Sequence, residues 1–198
     1  MNRMKTLGLV MAVLSITSPV FASTVTDPAA SSIAVSASVS DVFSIRTDIR
    51  RDIAGFPDVA DTAIAFGNLV VSGGTLVAAE GRVAFINVIN TAGTQYTVSS
   101  NIATPLTRTG GTETIPNGAF VLNVNETTPA NPGTATDPAN TAVGNFTIFT
   151  SDAPGSESQV EAHYTITNDP ALGATSFVPQ NQRSGTYTTT LVISATRP

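Results

Sequence analysis

One histidine carries all the imidazole chemistry that this chain can offer. His163 follows Glu161 by two residues, inside a run of alternating apolar and polar residues, Gln159–Thr167. Successive side chains of a β-strand point to opposite faces, so this spacing places the imidazole and the carboxylate on the same face. Such a pair could contribute to a metal site or to acid–base catalysis. The sequence supplies no third ligand in a motif, and we therefore expect a solvated strand face here.

Nucleophilic catalysis has little support in the residue types. A Ser–His–Asp triad would need the same His163, and no Gly-x-Ser-x-Gly turn presents a serine. The chain has no cysteine, and its one lysine is Lys5. Disulfides and thiolate zinc sites are therefore excluded, as are Schiff-base chemistry and a phosphate-loop lysine beyond position 5. We expect no enzymatic activity and no cofactor.

Three carboxylates cluster before Ile64. Asp52, Asp58 and Asp61 are weak candidates for a calcium site, although carboxylate-pair chemistry would use the same groups. A calcium loop needs oxygen ligands at dense, alternating positions, and this spacing does not provide them. We therefore expect a soluble acidic loop with no bound metal, and the sequence leaves open whether the three side chains meet in space.

The first 22 residues have the layout of a secretory signal peptide. Arg3 and Lys5 precede an apolar run, Leu7–Ile16, and the small-residue pattern Val20-Phe21-Ala22 follows. The apolar run is shorter than the roughly 20 residues that a membrane span requires, although an uncleaved N-terminal anchor is the alternative. We expect cleavage after Ala22. The mature chain would then be extracellular or on the cell surface, passing through a periplasm if the envelope has two membranes.

The charge balance of the mature chain disfavours nucleic acid. Without the predicted signal peptide, 7 basic residues, all arginine, remain against 14 acidic residues, which gives a net charge of about −7. Such a field repels a phosphate backbone. No second long apolar run follows, so we expect no membrane span in the mature chain.

Period-two alternation dominates the rest of the sequence and predicts an all-β fold. Apolar and polar residues alternate over Ile33–Ser40, and the phase shifts at Asp41, which predicts a bulge or bend. Turn residues separate the later segments. Short strands of this kind predict an antiparallel β-sandwich, with a barrel as the alternative. The other candidate strands are Ala63–Phe66, Leu69–Val71, Arg82–Asn90, Gln95–Ser99, Phe120–Val124, Phe146–Phe149, Gln159–Thr167 and Gly185–Thr196.

The domain organisation follows from these patterns. We expect a signal peptide over 1–22, a linker with an N-terminal extension strand over 23–48, and a β-sandwich domain over 49–198. A long exposed connection, rich in Thr, Pro, Ala and Asn, is expected over Glu126–Gly144.

Two stretches carry a family resemblance. The sequence Ser184-Gly185-Thr186-Tyr187, followed by alternating threonine and aliphatic residues, resembles the last strand of secreted bacterial β-sandwich modules. Ile64-Ala65-Phe66-Gly67-Asn68-Leu69 is similar to an early strand of such modules. Spore-coat U-type and WxL-type surface domains are the families in question. The resemblance implies an Ig-like sandwich in pili, coats or surface layers, and it implies no catalytic residues.

The extension strand suggests a way to assemble. Ile33, Val35, Ala37 and Val39 share one face, and small polar residues occupy most of the other. This strand could be the first strand of a self-contained sandwich, or it could leave and complete the sheet of a neighbour. Head-to-tail repetition of such a contact gives a filament unless it closes into a ring. The possible acceptor is the terminal strand, with Tyr187, Leu191 and Ile193 on one face.

These observations predict an exported structural subunit of an extracellular filament, pilus or coat, assembled by β-strand addition. Its main partner would be further copies of itself, with a chaperone or a cell-surface anchor protein as possible additions. The alternative is a monomeric surface or periplasmic binding module that holds a sugar, calcium or a protein. That module would use its longer loops, chiefly 52–61 and 126–144.

Overall fold

Antiparallel strands make up the core of the protein in the computed structural model. The structure describes residues 38, 40–53, 56–126, 133–138 and 141–198, with residues 52, 53, 56–59 and 126 described by their backbone. Asp41–Pro198 forms one compact unit. Its strands are β1 (Phe43–Ile53), β2 (Phe56–Asp61), β3 (Val70–Ser72), β4 (Thr75–Val77), β5 (Gly81–Asn90), β6 (Thr97–Ile102), β7 (Thr107–Arg108), β8 (Phe120–Glu126), β9 (Gly133–Ala135), β10 (Gly144–Ser151), β11 (Ser158–Ile166), β12 (Val178–Pro179), β13 (Tyr187–Thr188) and β14 (Leu191–Thr196).

Two larger sheets form a sandwich, which confirms the predicted all-β class. One sheet has the order β2-β1-β5-β11-β8, and the other has the order β14-β6-β10-β9. Their neighbouring strands pair antiparallel throughout. The described helical structure is two 3₁₀ turns, Asn117–Ala119 and Pro170–Leu172. The small sheets β12-β4-β3 and β13-β7 flank the sandwich.

The inner faces of the two sheets share one hydrophobic core. Strand β11 buries every second side chain, from Ser158 to Ile166, and β6 buries Val98, Ser100 and Ile102 in the same alternating way. Between the sheets, the hydroxyl of Tyr164 on β11 lies 2.9 Å from the hydroxyl of Ser100 on β6. The core therefore contains a buried hydrogen bond that joins the two layers.

Strand β5 is buried on both faces, which explains why its sequence pattern changes phase. Ala84 and Ile86, on alternate positions, belong to the core between the sheets. The opposite face carries Val83, which is fully buried, and Phe85. The guanidinium of Arg50 lies 4.7 Å from the Phe85 ring centroid, which helps to cover this outward face.

Four predictions change in the structure. Asp52, Asp58 and Asp61 lie on the strands of the β1–β2 hairpin and not in a loop. The stretch 126–144 contains a short strand, β9, and a buried Ala142, so the described part of it is not a simple exposed connection. The predicted strand Ala63–Phe66 is irregular backbone. The predicted domain boundary at residue 49 falls inside β1, which begins at Phe43.

Three charged side chains form a network beside β7. Glu113 accepts hydrogen bonds from Arg108 and from Arg183, each at 2.8 Å. These arginine donors, Arg108 first, lower the pKa of Glu113 to about 2. The network connects the turn after β7 to the segment that leads into β13.

Candidate functional site

The histidine–carboxylate pair forms as the sequence spacing predicts. His163 Nε2 lies 3.2 Å from Glu161 Oε2 on the outward face of β11, and both side chains are partly buried. By strand register, His163 stands opposite Val83 on one side and Asn123 on the other. Across the described ranges, no group of three or more His, Asp or Glu residues is arranged to hold a metal ion.

Of the three clustered carboxylates, Asp61 is the one whose side chain the structure describes, and it pairs with an arginine. Asp61 Oδ2 lies 3.4 Å from Nε of Arg82, and Arg82 is only 7% exposed. Glu80 approaches the same guanidinium at 3.6 Å. A buried charge is costly unless it is paired, so Asp61 serves to neutralise Arg82. The side chains of Asp52 and Asp58 lie outside the described residues.

The terminal strand β14 is a stronger candidate for a binding surface than the acidic cluster or the histidine–carboxylate pair. β14 lies at the end of the four-stranded sheet and pairs with β6 on one side. Within the described residues, no strand pairs with its other edge. Leu191, Ile193 and Ala195 face inward and pack against the core while staying partly exposed. β14 therefore presents an edge with a half-buried apolar row, which is typical of a sheet that can accept another strand.

Tyr187 does not continue this row. It lies on the separate strand β13, which pairs with β7. Its hydroxyl donates to the backbone oxygen of Arg183 at 2.6 Å and accepts from Gln182 Nε2 at 2.8 Å. Thr189 lies between β13 and β14 in the sequence, and its Oγ1 donates to Thr104 O at 2.6 Å. Of the predicted acceptor residues, Leu191 and Ile193 share one strand, and Tyr187 stabilises a neighbouring turn.

Strand β1 of the opposite sheet also leaves apolar surface uncovered. Ile45 stands opposite the fully buried Val88 and so lies on the inner face, but it remains 36% exposed. Phe43, two residues earlier, packs partly against the core. We call this set of residues the β1–β14 seam: Phe43, Ile45, Leu191, Ile193 and Ala195.

An ion pair closes one end of the seam. Arg197 Nη1 lies 2.9 Å and 3.1 Å from the two carboxylate oxygens of Asp41. The same guanidinium stacks over the Phe43 ring at 4.5 Å. Exposed ion pairs contribute roughly 0–1 kcal/mol, so this contact matters less for stability than for position. It holds the start of β1 beside the end of β14.

Local sequence patterns do not reveal this contact, because its partners are 156 residues apart. The nearest available signal was the change of phase at Asp41, which predicted a bulge or bend there. The predicted donor residues Ile33, Val35, Ala37 and Val39 lie outside the described residues.

Comparisons with protein-family models, with curated proteins and with solved structures found no match to this chain. In the ranges that the structure describes, no helix has the length and apolar character needed to cross a membrane.

Proposed function

We propose that this chain is an exported, non-enzymatic structural subunit of an extracellular filament, pilus or coat. Copies would assemble by β-strand addition, with the Ile33–Val39 segment of one copy lying on β14 of the next. The observation that carries the proposal is the edge of β14, where Leu191, Ile193 and Ala195 stay half-buried and no described strand pairs beyond them.

The chemistry of donor and edge is complementary. An unpaired strand edge offers backbone donors and acceptors that an extended segment can satisfy. The donor's alternating pattern would place Val35, Ala37 and Val39 over the apolar row. Each buried methylene contributes about 0.8 kcal/mol, so the row adds affinity to the backbone hydrogen bonds.

Export is supported by the N-terminal pattern of charge, apolar run and small residues. The sandwich could be of the Ig-like type, and the resemblance of the terminal strand to secreted bacterial β-sandwich modules supports that part of the proposal. The intact mass of the exported protein tests the first point, because cleavage after Ala22 leaves a chain that begins at Ser23. A mass that retains residues 1–22 would contradict it.

Assembly is tested with charge substitutions on the two faces of the donor. Val35→Asp with Val39→Asp places carboxylates on the apolar face, and Ser36→Asp with Ser38→Asp adds the same charge to the other face. Negative-stain electron microscopy and light scattering of the chain without residues 1–22 give the readout. We expect filaments from the parent chain and the serine variant, and none from the valine variant.

The acceptor is tested in the same way, by Ile193→Asp against the outward-facing Ser194→Asp. Far-ultraviolet circular dichroism confirms that each variant keeps its strand content. Dispersed particles from the parent chain at high concentration would refute the structural role. Equal assembly by both members of either pair would refute strand addition at β14.

A further inference from the structure

The outward side chains of the four-stranded sheet form an uncharged surface. On β6, the buried residues Val98, Ser100 and Ile102 face the core, so the residues between them face outward. The registers of β14, β10 and β9 identify their outward neighbours. The outward positions of these four strands, all within the described residues, carry no charged side chain and are exposed or half-buried. We call this set the hydroxyl face: Thr97, Ser99, Asn101, Thr134, Asn145, Thr147, Thr150, Val192, Ser194 and Thr196.

Strand pairing arranges the hydroxyl face in three rows. The first row has one threonine from each strand: Thr196, Thr97, Thr150 and Thr134. The middle row is Ser194, Ser99 and Thr147, and the third is Val192, Asn101 and Asn145. In the first row, the hydroxyl oxygens of Thr97 and Thr196 lie 3.0 Å apart. With strands about 4.8 Å apart and a rise of about 3.4 Å per residue, the face extends about 14 Å in each direction between Cα atoms.

The outward face of the five-stranded sheet is different, because it carries charges of both signs. Arg46, Asp48 and Arg50 occupy alternate outward positions of β1, and Glu161 lies beside His163 on β11. The whole chain has a formal net charge of −5 at pH 7, so two copies repel each other at long range. Between copies, the hydroxyl face is therefore a surface where close approach brings no like charges together.

The groups on the hydroxyl face can also pair with their own kind. A serine or threonine hydroxyl donates one hydrogen bond and accepts others, and an asparagine amide does both. In a two-fold contact a surface meets a copy of itself, and only groups of this kind can then satisfy each other. A nucleic acid would require cations on this face and a metal ion would require carboxylates, and the face has neither. Its described positions also carry no aromatic ring on which a sugar could stack.

We propose that the hydroxyl face is a lateral contact between two copies of this chain, with their four-stranded sheets stacked face to face about a two-fold axis. Sheets that stack in this way lie about 10 Å apart, which lets opposing side chains meet. The contact would also cover Val192, which is exposed on this face. It adds a second kind of contact to the strand addition of the proposed function and does not depend on it.

The size of the face sets the strength of the contact. A surface about 14 Å across is well below the roughly 800 Å² that each partner buries in a standard stable interface. An isolated pair of copies should therefore form a weak, reversible dimer. Copies already joined in a filament would make the same contact many times, and repetition raises the overall affinity. In filaments the contact would hold neighbours side by side.

Charge substitutions at the centre of the face test the contact. Ser99 lies in the middle row, between Ser194 and Thr147, and Ser99→Asp or Ser99→Arg would place like charges at the contact. The matched control, Ser44→Asp, adds the same charge to the outward face of the other sheet. All are made in the Val35→Asp/Val39→Asp chain without residues 1–22, which should form no filaments. Sedimentation equilibrium over rising concentration measures the dimer, and circular dichroism checks the strand content.

We expect the average mass of the unsubstituted chain and of Ser44→Asp to rise toward twice that of the monomer. Each Ser99 variant should dimerise at least about tenfold more weakly, because like charges at a contact are costly. Mixing Ser99→Asp with Ser99→Arg should restore pairing, since opposite charges then meet. Higher salt should leave the dimer unchanged or strengthen it, because screening reduces only the repulsion between copies.

Several results would overturn the lateral contact. These are monomers at every concentration, equal dimerisation of Ser99→Asp and Ser44→Asp, and no recovery when the two Ser99 variants are mixed. Binding to cellulose by a chain that stays monomeric, lost in both Ser99 variants, would assign the face to a polysaccharide and would equally overturn self-pairing.

The two proposals fail in different ways. Filaments of the parent chain that stay single in electron micrographs, with no dimer in sedimentation, would keep strand addition and remove the lateral contact. A dimer that Ser99→Asp abolishes, in a protein whose parent chain never forms filaments, would keep the lateral contact and remove the filament role.

Discussion

Replacing Tyr164 with phenylalanine removes one hydroxyl from the middle of the sandwich, and we expect a loss of stability of about 1–3 kcal/mol. Tyr164 and Ser100 are both fully buried, and their oxygens lie 2.9 Å apart. Without its partner, Ser100 Oγ remains in the core with the hydrogen bond between the sheets broken. In a domain of this size each kcal/mol shifts Tm by about 2–4 °C.

A double-mutant cycle separates the broken hydrogen bond from lost packing. Ser100→Ala alone leaves the Tyr164 hydroxyl buried and unpaired, so we expect a similar loss. The double variant Tyr164→Phe/Ser100→Ala removes both polar atoms, and it should recover most of the stability of the parent. Urea unfolding followed by circular dichroism measures each free energy, with Ser194→Ala on the surface as the control. Additive losses in the double variant would refute the reasoning.

Alkaline pH gives a second measure of the same side chain. Burial raises the pKa of Tyr164 to about 12, from 10 in the unfolded chain. The folded state therefore holds this proton more tightly, and its contribution is complete below pH 10 and is lost as pH rises toward 12. Two pKa units correspond to about 3 kcal/mol. Burial also raises the pKa of Tyr96. Because Tyr96 is present in both the parent and Tyr164→Phe, its contribution cancels when the stabilities of the two proteins are compared. Equal decline of the parent and Tyr164→Phe would contradict this account.

Three further predictions concern stability. Glu113→Gln should destabilise the protein at pH 7, because the pKa of this carboxyl is lowered by its two arginine partners. The difference in stability from the parent should vanish as pH falls from about 4.5 toward 2, and an acid unfolding series measures it. Gly155→Ala should cost about 2 kcal/mol or more by urea unfolding, since Gly155 has φ +65° and a Cβ would clash with the Thr94 carbonyl oxygen. Asp137→Ala should cost about 1–3 kcal/mol, because the carboxylate accepts the Val124 N–H; an unchanged urea midpoint would contradict it.

Local patterns predicted the strands whose two faces meet different surroundings. β11 alternates between buried core and polar outer face along its whole length, and its sequence alternates in the same way. β5 lies between β1 and β11 and is buried on both faces, so its pattern could not be read as simple alternation. β1 was harder still, because Arg46, Asp48 and Arg50 occupy its outward positions and its strand structure depends on a long ladder with β5.

The same distinction applies to side-chain pairs: a pair within one strand could be predicted from spacing, and a pair between strands could not. His163 and Glu161 are two residues apart on one strand, so local geometry alone brings them together. Asp61 has its partner on another strand, at Arg82, and no local pattern indicates that this carboxylate pairs with a buried guanidinium. Pairing of this kind depends on strand order, which residue spacing does not encode.

The residue pattern alone predicts an all-β chain and the alternating terminal row of Leu191 and Ile193, because side-chain alternation is a property of the backbone of each strand. Tertiary packing places β14 at a sheet edge and Tyr187 on a separate strand. It alone also brought Asp41 to Arg197 across 156 residues. Edges and long-range ion pairs arise from the order in which strands pack, and that order is set by burial of the whole core.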